Sequence, residues 1–259
     1  MNKLFTVAIS LALGLCFSAR IAFAQDLFEF QVYDADLVPK GGWEIDFHIS
    51  QIEKGTTEWD QSVLPTDRQT HLAIEITRGF AEAFELGGYA LFARRADGSL
   101  DYAGVRLRPR FKAPDSWAVP VGMSLSFEFG WPENRYELNS STLEIRPIID
   151  KSFGRWYFGI NPLITRALRG PDASGGLEFE PAARIAVELL KDQLNVGVQY
   201  FGAMGPLREF LPSSEQTHFL HPNAEISLGK ELVLNVGTAI GLTNAAEKLI
   251  FTSRLGWVF

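Results

Sequence analysis

The sequence predicts an all-β protein, an antiparallel up-and-down transmembrane β-barrel of about 12 strands, and three observations carry that expectation. Apolar residues recur with a period of two along nearly the whole chain, the signature of strands with one greasy and one wet face. The polar links between these runs alternate short and long, as periplasmic turns and outer loops do in membrane barrels. Aromatic residues gather near both ends of the runs, where ring belts meet lipid headgroups. With 259 residues, 46% hydrophobic and 21% charged, the chain is too apolar for disorder and lacks collagen or heptad repeats.

Residues 1–24 read as a cleaved secretory signal peptide. Lys3 supplies a positive start, residues 4–17 an apolar run, and Ala22-Phe23-Ala24 a small-x-small cleavage pattern. The expected mature chain, 25–259, forms one outer-membrane barrel domain. Cys16 is the only cysteine and leaves with the leader, so neither a disulfide nor a thiolate metal site is expected. Loss of Lys3 and Arg20 leaves 22 basic against 31 acidic side chains, a net charge of −9, which argues against nucleic acid as a partner. No later run reaches the roughly 20 apolar residues of a spanning helix.

The strands follow in order. From Trp43 to Ser50 every odd position is apolar and every even one polar. Alternation continues through Leu72-Ile74-Ile76, Phe84-Leu86-Ala90-Phe92, Val105-Leu107-Phe111, Val121-Met123-Leu125-Phe127-Phe129 and Leu143-Ile145-Ile149. The second half gives Trp156-Phe158-Ile160-Ile164, Phe179-Ala183-Ile185-Val187-Leu189, Leu194-Val196-Val198-Tyr200 and Leu220-Ala224-Ile226-Leu228. Leu232-Leu234-Val236-Ile240 and Leu249-Phe251-Ser253-Leu255-Trp257-Phe259 complete the set. Tight links are expected at 78–82, 112–117, 150–154, 190–193 and 229–231. Longer ones fall at 54–67, 130–140, 166–176 and 202–216, with shorter outer links near Ala96 and Asn244.

Trp43, Phe84, Trp156, Trp257 and Phe259 lie toward the short-turn end, and Phe92, Phe129, Trp131 and Phe179 toward the long loops. Trp43, Trp156, Trp257 and Phe259 are the expected girdle, and the last two resemble a C-terminal membrane-targeting strand, with Arg254 where a glycine is usual. Pro109, Pro147, Pro162, Pro181 and Pro222 fall inside proposed strands. Each removes a ladder donor, so strand ends or bulges are expected there and the count carries a margin of about two.

The chain resembles a largely uncharacterised family of proteobacterial outer-membrane barrels similar to phenol-degradation (MetA-pathway) transporter-like proteins. The segments that carry the resemblance are Gln31-Val32-Tyr33-Asp34-Ala35-Asp36, Leu143-Glu144-Ile145-Arg146-Pro147-Ile148-Ile149, Asn161-Pro162-Leu163-Ile164 and Phe179-Glu180-Pro181-Ala182-Ala183-Arg184. Gly205-Pro206-Leu207-Arg208-Glu209-Phe210-Leu211-Pro212 and Gly241-Leu242-Thr243 extend it across nearly all of the mature chain. It implies a barrel in the outer membrane, without a catalytic residue or a defined substrate.

With the apolar positions facing lipid, the lumen receives Glu44, Asp46, His48, Ser50, His71 and Glu75, then a basic row of Arg106, Arg108 and Arg110. Acids Glu128, Glu144, Glu178, Glu180, Glu188 and Glu225 enter from other strands beside Arg146 and Arg184. Opposed acidic and basic rows set up a transverse field able to select small ions or polar solutes. The candidate selectivity residues are Asp46, His48, Glu75, Arg106, Arg108, Arg110, Glu128, Glu144, Arg146, Glu180, Arg184 and Glu225. The alternative is a filled lumen in which Arg and Glu partner each other, because buried charges must be paired. The expected function is therefore a narrow channel or solute-binding lumen, with outer-membrane lipid, the barrel assembly machinery and small solutes as partners. A non-conducting structural or adhesion barrel is the alternative.

Enzymatic readings are thinner. His48-Ile49-Ser50 has the His-x-Ser spacing that lets an imidazole deprotonate a hydroxyl on one strand face, the pattern of a lipid esterase. That face looks inward, however, and Gln51 stands where an Asn is expected. The four histidines, His48, His71, His218 and His221, lack the clustering of a zinc site and are read as polar lumen residues, although His48 and His71 are placed as possible cross-strand neighbours. Neither Gly79-Phe80-Ala81 nor Gly87-Gly88 continues into a phosphate loop, and no cofactor is expected. The loop 205–214, with Arg208 and Phe210, is a pore constriction, a surface contact or a packed loop. Whether residues 26–40 plug the barrel is left open by the sequence.

Overall fold

The structure, a computed structural model, describes residues 26–259; Gln25 and the expected signal peptide 1–24 lie outside the described residues. Twelve antiparallel strands close into a barrel: β1 (Trp43–Lys54), β2 (Thr70–Ala81), β3 (Phe84–Arg94), β4 (Leu100–Lys112), β5 (Gly122–Pro132), β6 (Ser141–Phe153), β7 (Trp156–Arg169), β8 (Glu178–Leu190), β9 (Leu194–Ala203), β10 (Thr217–Ser227), β11 (Leu232–Gly241) and β12 (Leu249–Val258). Every strand pairs with its sequence neighbours, and β12 closes on β1 with Asp46 opposite Gly256. Closure leaves the sheet without a free edge.

The period-two pattern sets the two faces of the wall. Along β1, Asp46, His48, Ser50 and Ile52 are buried inside, while Phe47 and Ile49 are more than 40% exposed on the outer wall. The same parity holds on β2, where His71, Ala73, Glu75 and Thr77 point inward, and on β4, where Arg108 and Arg110 do. Trp43, Trp156, Trp257 and Phe259 stand exposed on the outside at the short-turn end, and the Trp257 and Phe259 rings lie 4.4 Å apart.

The prolines do not end strands or break the alternation, as was expected of them. All five occupy outward positions, and the ladder is interrupted beside them. Paired residues in β6 and β7 jump from Ile145↔Ile164 to Ile149↔Ile160 across Pro147 and Pro162. The β4–β5 ladder skips Pro109, and the β10–β11 ladder skips Pro222. Pro162 and Pro181 face each other directly. A missing donor costs a ladder bond but leaves the pleat intact, so the strand count stays at twelve.

Turn lengths differ from expectation: the link expected at 78–82 is Glu82 and Ala83 alone, because β2 continues to Ala81. β6 continues to Phe153 and turns through Gly154 and Arg155 alone, whereas β4 and β5 are joined by 113–121 rather than by the tight link expected at 112–117. Pro114, Pro120 and a 3-10 turn at Asp115–Trp117 prevent a two-residue hairpin there. At the opposite end, the loop 55–69 reaches across the mouth. Leu64 N–H donates to Arg135 C=O, Ser62 Oγ to Asn134 C=O, and Thr66 Oγ1 to Glu247 Oε1.

Residues 26–42 are the feature that positions everything else. This segment, here called the strap, enters the lumen at the loop end and runs inside the barrel to the short-turn end. There Gly41, at φ +86°, turns it into β1. Only a residue without Cβ adopts that left-handed geometry freely.

Candidate functional site

The site is the lumen together with the strap that fills it. At the outer end, Arg106 grips Asp26 with both terminal nitrogens, at 2.5 and 2.9 Å, and also reaches Glu128 at 3.2 Å. Asp26 lies on the strap rather than in a wall strand. Burial opposes its ionisation, but the Arg106 guanidinium outweighs that and holds its carboxyl below the usual carboxylate range. Phe28 stacks on His71 with ring centroids 4.3 Å apart, and Tyr136 packs edge-on against both.

The middle of the strap has two faces. Phe30 inserts edge-on between Phe201 and Phe219, at 5.4 and 5.5 Å, within a cluster that includes Val32, Leu163 and Ile250. Tyr33 points to the opposite wall, where the guanidinium carbons of Arg146, Arg108 and Arg110 lie 4.4, 4.8 and 5.5 Å from its ring centroid. Its hydroxyl donates to Glu29 Oε1 at 2.5 Å and meets Tyr89 Oη at 2.8 Å.

The wall also satisfies the strap's backbone, which has no sheet partner of its own. Asn161 accepts from Tyr33 N–H at 2.8 Å and donates to Tyr33 C=O at 3.1 Å. Gln199 accepts from Val32 N–H, Asp150 from Ala35 N–H and Glu85 from Val38 N–H. Arg110 donates to the carbonyls of Asp34 and Asp36. A buried peptide group without such partners would cost about 1–3 kcal/mol, so these side chains decide where the strap lies.

All twelve candidate selectivity residues are on the inner face, and most are tied to a neighbour. Asp46 pairs with Arg254 at 3.3 Å, Arg108 with Glu75, Arg110 with Glu85 at 2.8 Å, Arg146 with Glu144 at 2.6 Å and Arg184 with Glu225 at 3.2 Å. Glu180 accepts from Thr165 Oγ1 at 2.7 Å. Gly87 leaves room for the Arg108–Glu75 pair, because a Cβ there would lie 2.9 Å from Glu75 Oε1 and 3.3 Å from Arg108 Nε. The opposed acidic and basic rows expected from the sequence are thus interleaved pairs, which cancel much of a transverse field.

Among the described residues, two cavities border the strap. The one toward the loops, about 190 Å³, is lined by Phe28, His71, Arg106, Glu128, Tyr136 and Glu180. The one toward the short turns, about 510 Å³, is bounded by Asp34, Glu44, Asp46, Arg184, Glu225 and Arg254 and lies within the size range of small-ligand sites. The strap borders both, with Asp26 and Phe28 on the first and Phe30, Tyr33 and Val38 on the second.

Several expectations need correction. His48 and His71 are cross-strand neighbours on the diagonal rather than directly opposed, since the register sets His48 against Ala73 and His71 against Ser50. His218 is not a lumen residue: its parity on β10 puts it on the outer wall, where Nδ1 meets Tyr200 Oη at 2.7 Å, while Phe219 and His221 are the inward neighbours. His48 Nε2 faces Glu75 at 3.9 Å, and both His48 and Ser50 are sealed beneath the strap, away from any lipid ester. For the loop 205–214, read as a constriction, a surface contact or a packed loop, the contacts favour the last. Phe210 stacks on outward-facing Phe179, and Phe179 N–H donates to Gly205 C=O, so this loop packs on the rim.

The sequence reading missed Asp26, Glu29, Glu85 and Arg254 as lumen groups. Glu85 and Arg254 have the inward parity of their strands, so alternation alone would have found them. Asp26 and Glu29 precede the first periodic run and carry no such mark.

No protein-family model and no curated protein matches the chain. Among solved structures it is similar to an outer membrane channel from Pseudomonas putida F1, at TM-score 0.56 and 10% identity, covering 89% of this chain and 100% of that one. It is also similar to the KdgM porin in complex with disordered oligogalacturonate, at TM-score 0.55 and 10% identity (83% and 99%), and to the NanC porin, at TM-score 0.54 and 7% identity (83% and 98%). These likenesses establish the porin-like 12-stranded barrel fold.

Proposed function

We propose that the protein is a bacterial outer-membrane channel for small polar or ionic solutes whose lumen is held closed by the N-terminal strap. In this reading the leader directs export, the assembly machinery inserts the barrel, and the apolar outer wall with its Trp43, Trp156, Trp257 and Phe259 girdle meets lipid. The observation that carries it is the strap itself, an extended segment that lines both cavities and is anchored by side chains rather than by sheet pairing. The paired charges lining both cavities suit hydrated ions or polar solutes better than apolar ones. The finer assignment, to phenol-degradation transporter-like proteins, rests on the motifs alone.

The test is single-channel recording in planar bilayers, comparing mature protein with a variant lacking residues 26–38. The deletion is expected to give stable, ion-selective steps at least several-fold larger than those of the intact chain. A folded but silent deletion variant would discard the channel and favour the second reading, a non-conducting structural barrel. The roof formed by loop 55–69 over the mouth is the observation on that side. The esterase reading has no geometric support, since His48 and Ser50 face the strap.

A further inference from the structure

We infer that Glu29, His48 and Glu75 form a site for a divalent transition-type cation that clamps the strap to the wall. Glu29 belongs to the strap, His48 to β1 and Glu75 to β2, so the three come from separate pieces of the chain. One donor atom from each lies within 4.8 Å of the others, and His48 Nε2 is 3.9 Å from Glu75 Oε2. An ion bound at about 2.0–2.2 Å places tetrahedral donors about 3.4 Å apart, so closure asks for movements of roughly an ångström.

Geometry alone would leave this an acidic cluster. The second observation is that two donors are buried without partners. His48 Nε2 and Glu29 Oε2 have no hydrogen-bond partner, and both residues are only 4% exposed. Unsatisfied polar atoms at such depth are costly and call for a ligand. The remaining oxygens of the two carboxylates are already fixed. Tyr33 Oη donates to Glu29 Oε1, while Thr77 and Arg108 hold Glu75 Oε1, an arrangement that aims each free oxygen inward as outer-shell partners do around metal ligands.

Charge points the same way. Glu75, Glu85, Glu144 and Asp26 each have an arginine. Among the described residues Glu29 has a hydroxyl, and no lysine or arginine reaches its carboxylate within 4 Å. One imidazole nitrogen with two carboxylate oxygens suits Zn²⁺, Mn²⁺ or Fe²⁺ better than Ca²⁺ or Mg²⁺, which favour all-oxygen shells. The site depends on where the strap lies and not on whether the barrel conducts, so metal binding and conductance test separate statements.

The experiment uses refolded mature protein stripped with a chelator and titrated with Zn²⁺ by calorimetry, with bound metal measured by mass spectrometry. Hydrogen exchange across residues 27–38 supplies a second readout. Expected are one Zn²⁺ per chain, at least tenfold weaker binding in both Glu29→Gln and His48→Ala, unchanged binding in His218→Ala on the outer wall, and at least tenfold slower strap exchange with metal in the wild-type chain only. Folding of each variant is checked by its heat-dependent gel shift, with His48→Gln replacing His48→Ala if the latter does not fold. Absence of stoichiometric metal in the wild-type protein overturns the site. Undiminished binding in either ligand variant overturns it equally.

Discussion

The two sides of the inner wall hold the same strap by different means. Across β2 to β6 the wall presents Glu75, Glu85, Arg106, Arg108, Arg110, Glu128, Glu144 and Arg146, and the strap answers with Asp26, backbone carbonyls and the Tyr33 ring. Across the loop-end half of β7 to β12 it presents Leu163, Ala182, Phe201, Phe219, Ala239 and Ile250, and the strap answers with Phe30 and Val32. The apolar side contributes burial that is indifferent to small shifts. The charged side gains little net stability from pairs already taken out of water, but it fixes position, because a misplaced strap leaves charges unpaired.

That contrast can be broken from its largest expected effect downward. Arg108→Met leaves Glu75 without its cation beneath the strap and should destabilise the barrel by about 3–5 kcal/mol in urea unfolding from lipid vesicles. Adding Glu75→Gln should recover most of the loss. A double variant as unstable as the single one would mean that the charged side stabilises by more than pairing. On the apolar side, Phe30→Ala should cost about 3 kcal/mol in the same assay, with no recovery from any second-site charge change. A loss under about 1 kcal/mol would show that the strap is not packed there.

Smaller effects sharpen the picture. Asn161→Ala strands the N–H and C=O of Tyr33 and should cost about 2 kcal/mol, with faster hydrogen exchange confined to the strap. Asp26→Asn should cost about 1 kcal/mol. Because the folded carboxyl of Asp26 is depressed, its contribution is present above the unfolded value of about 3.9 and is lost only as pH falls through the folded one. Exchange at Leu27 and Phe28 should therefore show no Asp26-dependent change between pH 8 and pH 5. Release of the strap near pH 6 would mean that a group other than Asp26 holds it.

Much of this was legible residue by residue. Alternation from Trp43 to Phe259 determined the strands, their faces and the inward set of charged side chains, because a pleated wall closed around a filled interior admits one parity per strand. It misassigned His218 only where polarity was allowed to override parity. The partners of those charges, by contrast, depend on register across strands that are distant in sequence, as with Asp46 and Arg254. The strap is the extreme case. Residues 26–42 have no period, and their backbone bonds go to Asn161, Gln199, Asp150 and Glu85 on four different strands, so only closure of the barrel creates the surface that makes them ordered. The sequence by itself determined a wall, because a strand's face is a local property. The tertiary structure alone decided that the wall is filled and by what, because that depends on which side chains meet across the lumen.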